Sequence, residues 1–145
     1  MPRLHIRTAQ PDDVALILAL IGELAEHLFG PRPYAEVLIG EVDGQAAGFA
    51  LFFHNYSTFL GKPGIYLEDL YVRPIARGAG LGKALLGSLA GLAVERGCGR
   101  LEWSVLDWNQ PAIGFYQRLG AEPLDAWTQY RLTGPALREL AEKAR

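Results

Sequence analysis

The chain contains a single cysteine, Cys98, in 145 residues. This excludes an internal disulfide and any cysteine-cluster metal site, and it fits a reducing compartment. The three histidines, His5, His27 and His54, stand far apart with no metal-ligand spacing, so no metal is expected. A basic surplus is also missing. Fourteen Lys and Arg face 16 Asp and Glu, a formal charge of −2, whereas nucleic acid or an anionic membrane calls for basic excess. The opening MPRLHIRTAQ lacks the apolar core of a secretory leader, and the longest apolar run, VALILALI, is too short to cross a bilayer. These absences point to a cytoplasmic protein with neither nucleic acid nor membrane as partner.

The residues that are present suit one globular domain, 1–145. Half of them are apolar and 21% are charged, enough for a core and too few charges for disorder. RLHIR alternates and predicts a strand over 4–7. Pro11, Asp12 and Asp13 then open a helix whose positive end favours carboxylates. Val14, Ile17, Leu18, Ile21, Leu24 and Leu28 recur at steps of three and four, as an amphipathic helix requires, and GPRP ends it.

AEVLIGEVDGQAAGFALFFH reads as a hairpin about Asp43-Gly44. NYSTFLGKPG reads as a loop and IYLEDLYV, 65–72, as a strand. A helix follows with Leu81, Leu85, Leu89, Leu92 and Ala93 on one side and Gly97 as its stop. RLEWSVL reads as a strand, and NQPAIGFYQRLG as a helix with Asn109 at its cap, Pro111 in the first turn and Gly120 beyond its end. WTQYRLT, 127–133, reads as a last strand and PALRELAEKA as a terminal helix. The order β-α-β-β-β-α-β-α-β-α implies an α/β fold: a mixed twisted sheet of about six to seven strands with helices on both faces.

Gly78, Gly80 and Gly82 gather at a strand-helix junction, where glycine favours neither element. The dinucleotide fingerprint fails because Lys83 stands where its third glycine belongs. The nucleotide-triphosphate loop fails too, with Arg77 in place of its first glycine and Ala84 in place of the magnesium-binding hydroxyl. Two readings remain. One is an anion site, in which unpaired backbone N–H groups and the helix dipole face a phosphate beside Arg77 and Lys83. The other is a turn whose glycines only avoid steric conflict.

Arg77-Gly78-Ala79-Gly80-Leu81-Gly82 resembles Q/R-x-x-G-x-G/A, the coenzyme A pyrophosphate loop of GNAT-superfamily N-acetyltransferases. DWNQPAIGFYQRLGA resembles the Asn…Ala…Phe-Tyr…Gly segment that follows in that superfamily. With IYLEDLYVRPIARGAGLG, it is similar to the diamine (spermidine/spermine) and thialysine acetyltransferase branch. The resemblance implies direct transfer of acetyl from acetyl-CoA to an amine within a ternary complex.

By the same resemblance, the backbone of Leu70, Tyr71 and Val72 lies along pantetheine and supplies an oxyanion donor. Arg77, Gly78, Ala79, Gly80, Leu81, Gly82 and Lys83 wrap the pyrophosphate, and Asn109 lies near the cofactor, although its capping role would also account for it. Tyr116 falls on the general acid that protonates the departing thiolate; its alternative is a wall residue of an amphipathic helix. Glu68 matches the acidic residue of the LED segment, as a base, directly or through water, or as an anchor for a cationic amine. Strand alternation would turn Glu68 and Asp69 to opposite faces, leaving one to meet the substrate.

Two departures concern the amine side. EHLFGPRPYAEV bridges directly where diamine-type relatives carry a second helix, and Glu26 and His27 are not residue matches for their acceptor contacts. Trp127 and Thr128 stand near the second acidic contact, with Asp125 close by but not aligned. The acceptor expected is therefore a small-molecule amine, thialysine- or lysine-like ahead of a long polyamine, with protein or peptide amines as an alternative. A CoA-binding module without turnover and a plain nucleotide-binding domain are the competing classes. A homodimer is expected from the family, with the apolar FALFFHNY stretch as a compatible surface.

Overall fold

Asp43 and Gly44 both adopt the left-handed region, φ 51° and 81°, and Val42 pairs directly with Gln45 across them. This is the two-residue hairpin turn whose twist matches that of its strands. The computed structural model describes residues 2–13, 15 and 25–144, which fall into two compact units, Met1–Ser104 and Val105–Arg145.

In the first unit, β1 (Leu4–Thr8), β2 (Glu36–Val42), β3 (Gln45–Ser57), β4 (Lys62–Val72) and β5 (Leu101–Trp103) form one sheet in sequence order. The first three pairings are antiparallel, and β4 pairs with β5 in parallel. Helix α1 (Ala25–Phe29) precedes β2, and α2 (Leu81–Glu95) makes the crossover that a parallel pair needs. The second unit carries α3 (Gln110–Arg118) and α4 (Gly134–Lys143). Of the predicted apolar stripe, Leu28 is described and buried; Val14, Ile17, Leu18, Ile21 and Leu24 lie outside the described residues.

The sheet buries both faces. Val37, Ile39, Phe49 and Leu51 pack with Leu28 of α1 on one side. On the other side lies α2, which buries Leu81, Leu85, Leu86, Leu89 and Ala93. Gly40 and Gly48 pair across β2 and β3 and form a notch for the first turn of α2. A Cβ at Gly40 would lie 2.7 Å from Leu81 Cδ1; one at Gly48 would lie 3.2 Å from Leu81 Cδ2 and 2.5 Å from the Tyr71 carbonyl. The far end of α2 is held by Arg96, whose guanidinium donates to both Glu36 carboxylate oxygens at 2.8 and 3.0 Å.

Several expectations are revised. Asp13 sits in a 3-10 turn, Pro11–Asp13, and receives the Arg7 fork at 2.7 and 2.8 Å. That guanidinium holds the Asp13 carboxyl below its usual range, against the opposing effect of burial. The 55–64 loop is mostly strand, because Asn55 to Ser57 pair with Lys62 to Gly64 and leave only 58–61 as a turn. Pro63 is tolerated there because its missing N–H falls on the side turned away from β3.

Among the described residues the sheet has five strands rather than six to seven. Residues 127–133 form no strand; a strand needs a ladder partner, and no described residue of Val105–Arg145 is in one. Phe49 to Phe52 of the FALFFHNY stretch are core, not surface.

The glycine notch predicts opposite outcomes for two substitutions of the same kind. Gly48→Ala drives a methyl into the Tyr71 carbonyl and should destabilise by about 1–3 kcal/mol. Gly87→Ala, mid-helix with nothing within 4 Å of its added carbon, should stabilise by about 0.5–1 kcal/mol. Thermal unfolding of the two variants checks both signs.

Candidate active site

The spacing of apolar residues in β4 places the site's first feature. Ile65 and Leu67 are two apart, as are Leu70 and Val72, but Leu67 and Leu70 are three apart. The extra residue is a β-bulge. Leu67 pairs with Phe52 and Asp69 with Leu51, which leaves Glu68 without a partner on β3. Beyond the bulge, Asp69 and Tyr71 stand opposite Leu51 and Phe49, and Leu70 and Val72 opposite Ala50 and Gly48. Glu68 and Asp69 are both exposed, so strict alternation no longer divides them between substrate and solvent. Asp69 is thereby a second acidic candidate that alternation overlooks, although the three-residue step was visible in the sequence.

The second feature is an open backbone edge. β5 pairs with β4 only over Ile65 to Leu67, whereas β4 continues with β3 to Val72. The Arg73 N–H donates to Ala47 O at 2.7 Å. By antiparallel alternation Tyr71 is then turned into β3, while Leu70 and Val72 direct N–H and C=O toward the side that β5 has left. Of the three residues singled out in the sequence, Leu70 therefore offers both groups there and Val72 its N–H, since the Val72 carbonyl accepts from Arg77. Tyr71 instead packs its ring against Phe49, centroids 6.0 Å apart.

The chain next makes a 3-10 turn, Pro74–Ala76, and enters the glycine cluster. Gly78 and Gly80 have φ of 89° and 86°, a conformation side chains disfavour. Gly80 caps α2 without any side-chain bond, and the first helical bond runs from Ala84 N to Gly80 O. The N–H groups of Leu81, Gly82 and Lys83 therefore have no carbonyl within the helix. Gly82 has no positive φ, and its added carbon would lie 4.0 Å from Val72 Cγ2. Its fold does not demand glycine; what its lack of a side chain provides is access to the backbone.

Arg77 Nε donates to Val72 O at 3.1 Å, folding the side chain along the end of β4. Arg77 and Lys83 are exposed, and neither forms an ion pair among the described residues. The residues present suit a polyanion: two glycines set the turn, a third clears the approach, and two cations flank it.

In the second unit, Asn109 Oδ1 accepts from Ala112 N at 3.3 Å, Pro111 sits in the first turn and Gly120 closes the helix at φ 91°. The capping role of Asn109 is thus real. Tyr116 is half-buried, and burial pushes its phenol above the ordinary value near 10. It stays protonated at neutral pH, as a proton donor must.

Residues 30–35 connect α1 to β2 without a helix. Among the described residues, no group of three His, Cys, Asp or Glu is arranged for a metal.

Residues 9–121 match the model of the "Acetyltransferase (GNAT) family". The chain is 37% identical over 166 residues to thialysine N-epsilon-acetyltransferase of Bos taurus, covering 95% of this chain and 97% of that protein. It is 36% identical over 171 residues to the Sus scrofa enzyme of the same name, with 99% and 100% covered. Both alignments are longer than this chain, so the relatives carry residues that this chain lacks. L-ornithine N5-acetyltransferase of Arabidopsis thaliana is 49% identical over 98 residues, 68% of this chain and 43% of that protein.

Among solved structures, an integron cassette protein of V. cholerae superposes with a TM-score of 0.79 at 25% identity, covering 96% of this chain and 98% of its own. An aminoglycoside N-acetyltransferase in complex with CoA shares the fold, with a TM-score of 0.73 at 21% identity over 92% of this chain and 97% of its own. The glycine loop, the open end of β4 and the match across residues 9–121 place this chain in the GNAT acetyltransferase family.

Proposed function

We propose that the protein transfers acetyl from acetyl-CoA to the primary amine of a small molecule, in a ternary complex and as one domain over 1–145. Thialysine- and lysine-like amino acids lead as acceptors. The observation that carries this reading is similarity, over nearly the whole chain, to enzymes named for thialysine. Ornithine is the second arm, favoured by the 49% match over 98 residues. Spermidine ranks lower: both departures fall on the acceptor side, one of them at an acidic contact, and the human spermidine/spermine-like relative is 32% identical.

Each residue's part follows from its chemistry. Arg77 to Lys83 would hold the pyrophosphate through N–H groups and two cations. Leu70 and Val72 would offer backbone to the pantetheine and the thioester carbonyl, with one N–H as oxyanion donor. An alkylammonium with a pKa near 10.4 is less than about 0.1% neutral at pH 7. Glu68 therefore serves as base or as anchor, and the bulge gives Asp69 the same opportunity. The amine nitrogen attacks the thioester carbon and the C–S bond breaks. Tyr116 gives its proton to the thiolate. Asn109 contributes near the cofactor while capping α3.

The single cysteine supports a cytoplasmic setting, and no described helix is long and apolar enough to cross a membrane. The homodimer rests on family resemblance, since the first half of the FALFFHNY stretch is core; light scattering at micromolar concentration should give a dimer mass.

The reading is tested by thiol release from acetyl-CoA in the presence of thialysine, lysine, ornithine, spermidine and short peptides. Thialysine or lysine should give the highest kcat/KM. Failure of every amine to raise release above background would remove the enzyme reading, and a preference for peptides would move the acceptor class. Tyr116→Phe should lower kcat by roughly 100-fold, within the range of a lost general acid, with KM for acetyl-CoA nearly unchanged. An unchanged kcat returns Tyr116 to a structural role. Glu68→Gln separates its two roles: a base loses kcat, an anchor raises KM for the amine.

A further inference from the structure

Two side-chain ties fasten β5 to the β3–β4 hairpin. Asn55 Nδ2 donates to Glu102 Oε1 at 3.2 Å, crossing β4 at Gly64, where an added carbon would collide with the Asn55 amide oxygen. Tyr66 Oη and Ser104 Oγ are 2.6 Å apart. Tyr66 pairs with Glu102, so its phenol reaches diagonally to a residue two steps on, within the range of cross-strand neighbours. A tilted contact with Phe53, centroids 5.3 Å apart, steadies that ring from the other side.

The two ties hold different residues of β5, Glu102 in the middle of the short ladder and Ser104 just beyond its end. The ladder's last pair is Leu67 with Trp103, and Ser104 is the first residue after β5. The hydroxyl contact therefore lies where the strands part, across from the bulge at Glu68. The Asn55–Glu102 tie runs from the level of Gly64 to the middle of the ladder, on the side away from the bulge.

We infer that Tyr66 and Ser104 are a positioning pair for acetyl transfer, setting how far β5 stands from the open edge at Leu70 and Val72. The inference rests on the proposed placement of the thioester along that edge. Ser104 is exposed, so water can replace its hydrogen-bonding partner at little cost to folding. Water does not hold two strands at a fixed separation, however, and transfer depends on near-contact geometry.

Steady-state kinetics on Tyr66→Phe, Ser104→Ala, the double variant and Ser104→Thr test this, with Asn55→Ala as control. Each single loss should lower kcat about fivefold, the equivalent of one neutral hydrogen bond, with KM for the amine within about twofold. The double variant should fall no further than either single one, and Ser104→Thr, which keeps the hydroxyl, should recover most of the rate. Asn55→Ala should lower the melting temperature and leave kcat within about twofold of the parent.

Independent, multiplying effects of the two substitutions would overturn the inference, as would an unchanged kcat in Ser104→Ala or an equal kcat loss in Asn55→Ala. If Tyr66→Phe fails to fold, Ser104→Ala and its threonine counterpart decide the matter. An active parent with unaffected variants removes only this inference, whereas an inactive parent removes the transferase reading beneath it.

Discussion

Leu81, seated in the notch left by Gly40 and Gly48, is the contact on which the rest of the first unit depends. It is the first residue of α2 and 1% exposed, and its burial contributes about 1.5–3 kcal/mol. The same contact brings three unpaired N–H groups to the end of β4. Because Leu81 lies within the glycine loop, seating this one side chain fixes where the loop stands relative to the Tyr71–Val72 backbone. A larger residue at Gly48 would push on the Tyr71 carbonyl, so packing and site geometry share the same atoms. Arg96 and Glu36 tie the other end of α2 to β2.

The bulge at Glu68 and the parting of β4 from β5 work on the same short stretch. A regular strand would turn Glu68 and Asp69 to opposite faces and would keep the backbone of Leu70 and Val72 in a ladder. The bulge removes the first constraint, and the three-residue length of β5 removes the second. Two exposed carboxylates and an unladdered edge then lie within five residues, followed at once by the cationic loop. Negative charge suits the ammonium of an amine, and positive charge suits the phosphates of its co-substrate. The two charges are kept in order along one continuous segment from Glu68 to Lys83.

Where local chemistry is decisive, the sequence was easily read. Asp43-Gly44 turns as a dipeptide tolerant of positive φ must, Asn109 caps its helix and Gly97 and Gly120 stop theirs at φ 71° and 91°. Longer-range pairing was harder to see. Residues 55–64 look like a loop because Pro63 and two glycines interrupt the pattern, yet pairing with β3 draws most of them into a hairpin. Residues 127–133 look like a strand, but alternation makes a strand only where another strand presents free backbone groups. The step of three between Leu67 and Leu70 marks the bulge in the sequence, a feature that strict alternation does not accommodate.

The hairpin turn, the cap of α3, the glycine stops of α2 and α3, the family resemblance and the loop over Arg77 to Lys83 were legible in the chain alone, because each depends on residues close together in it. Only the tertiary structure decided which glycines serve conformation and which serve access, which backbone groups of β4 remain open, and that Tyr66 meets Ser104. Those facts depend on register and on the approach of segments tens of residues apart. No local preference encodes that separation, and a shift of one residue in pairing would turn every side chain to the opposite face.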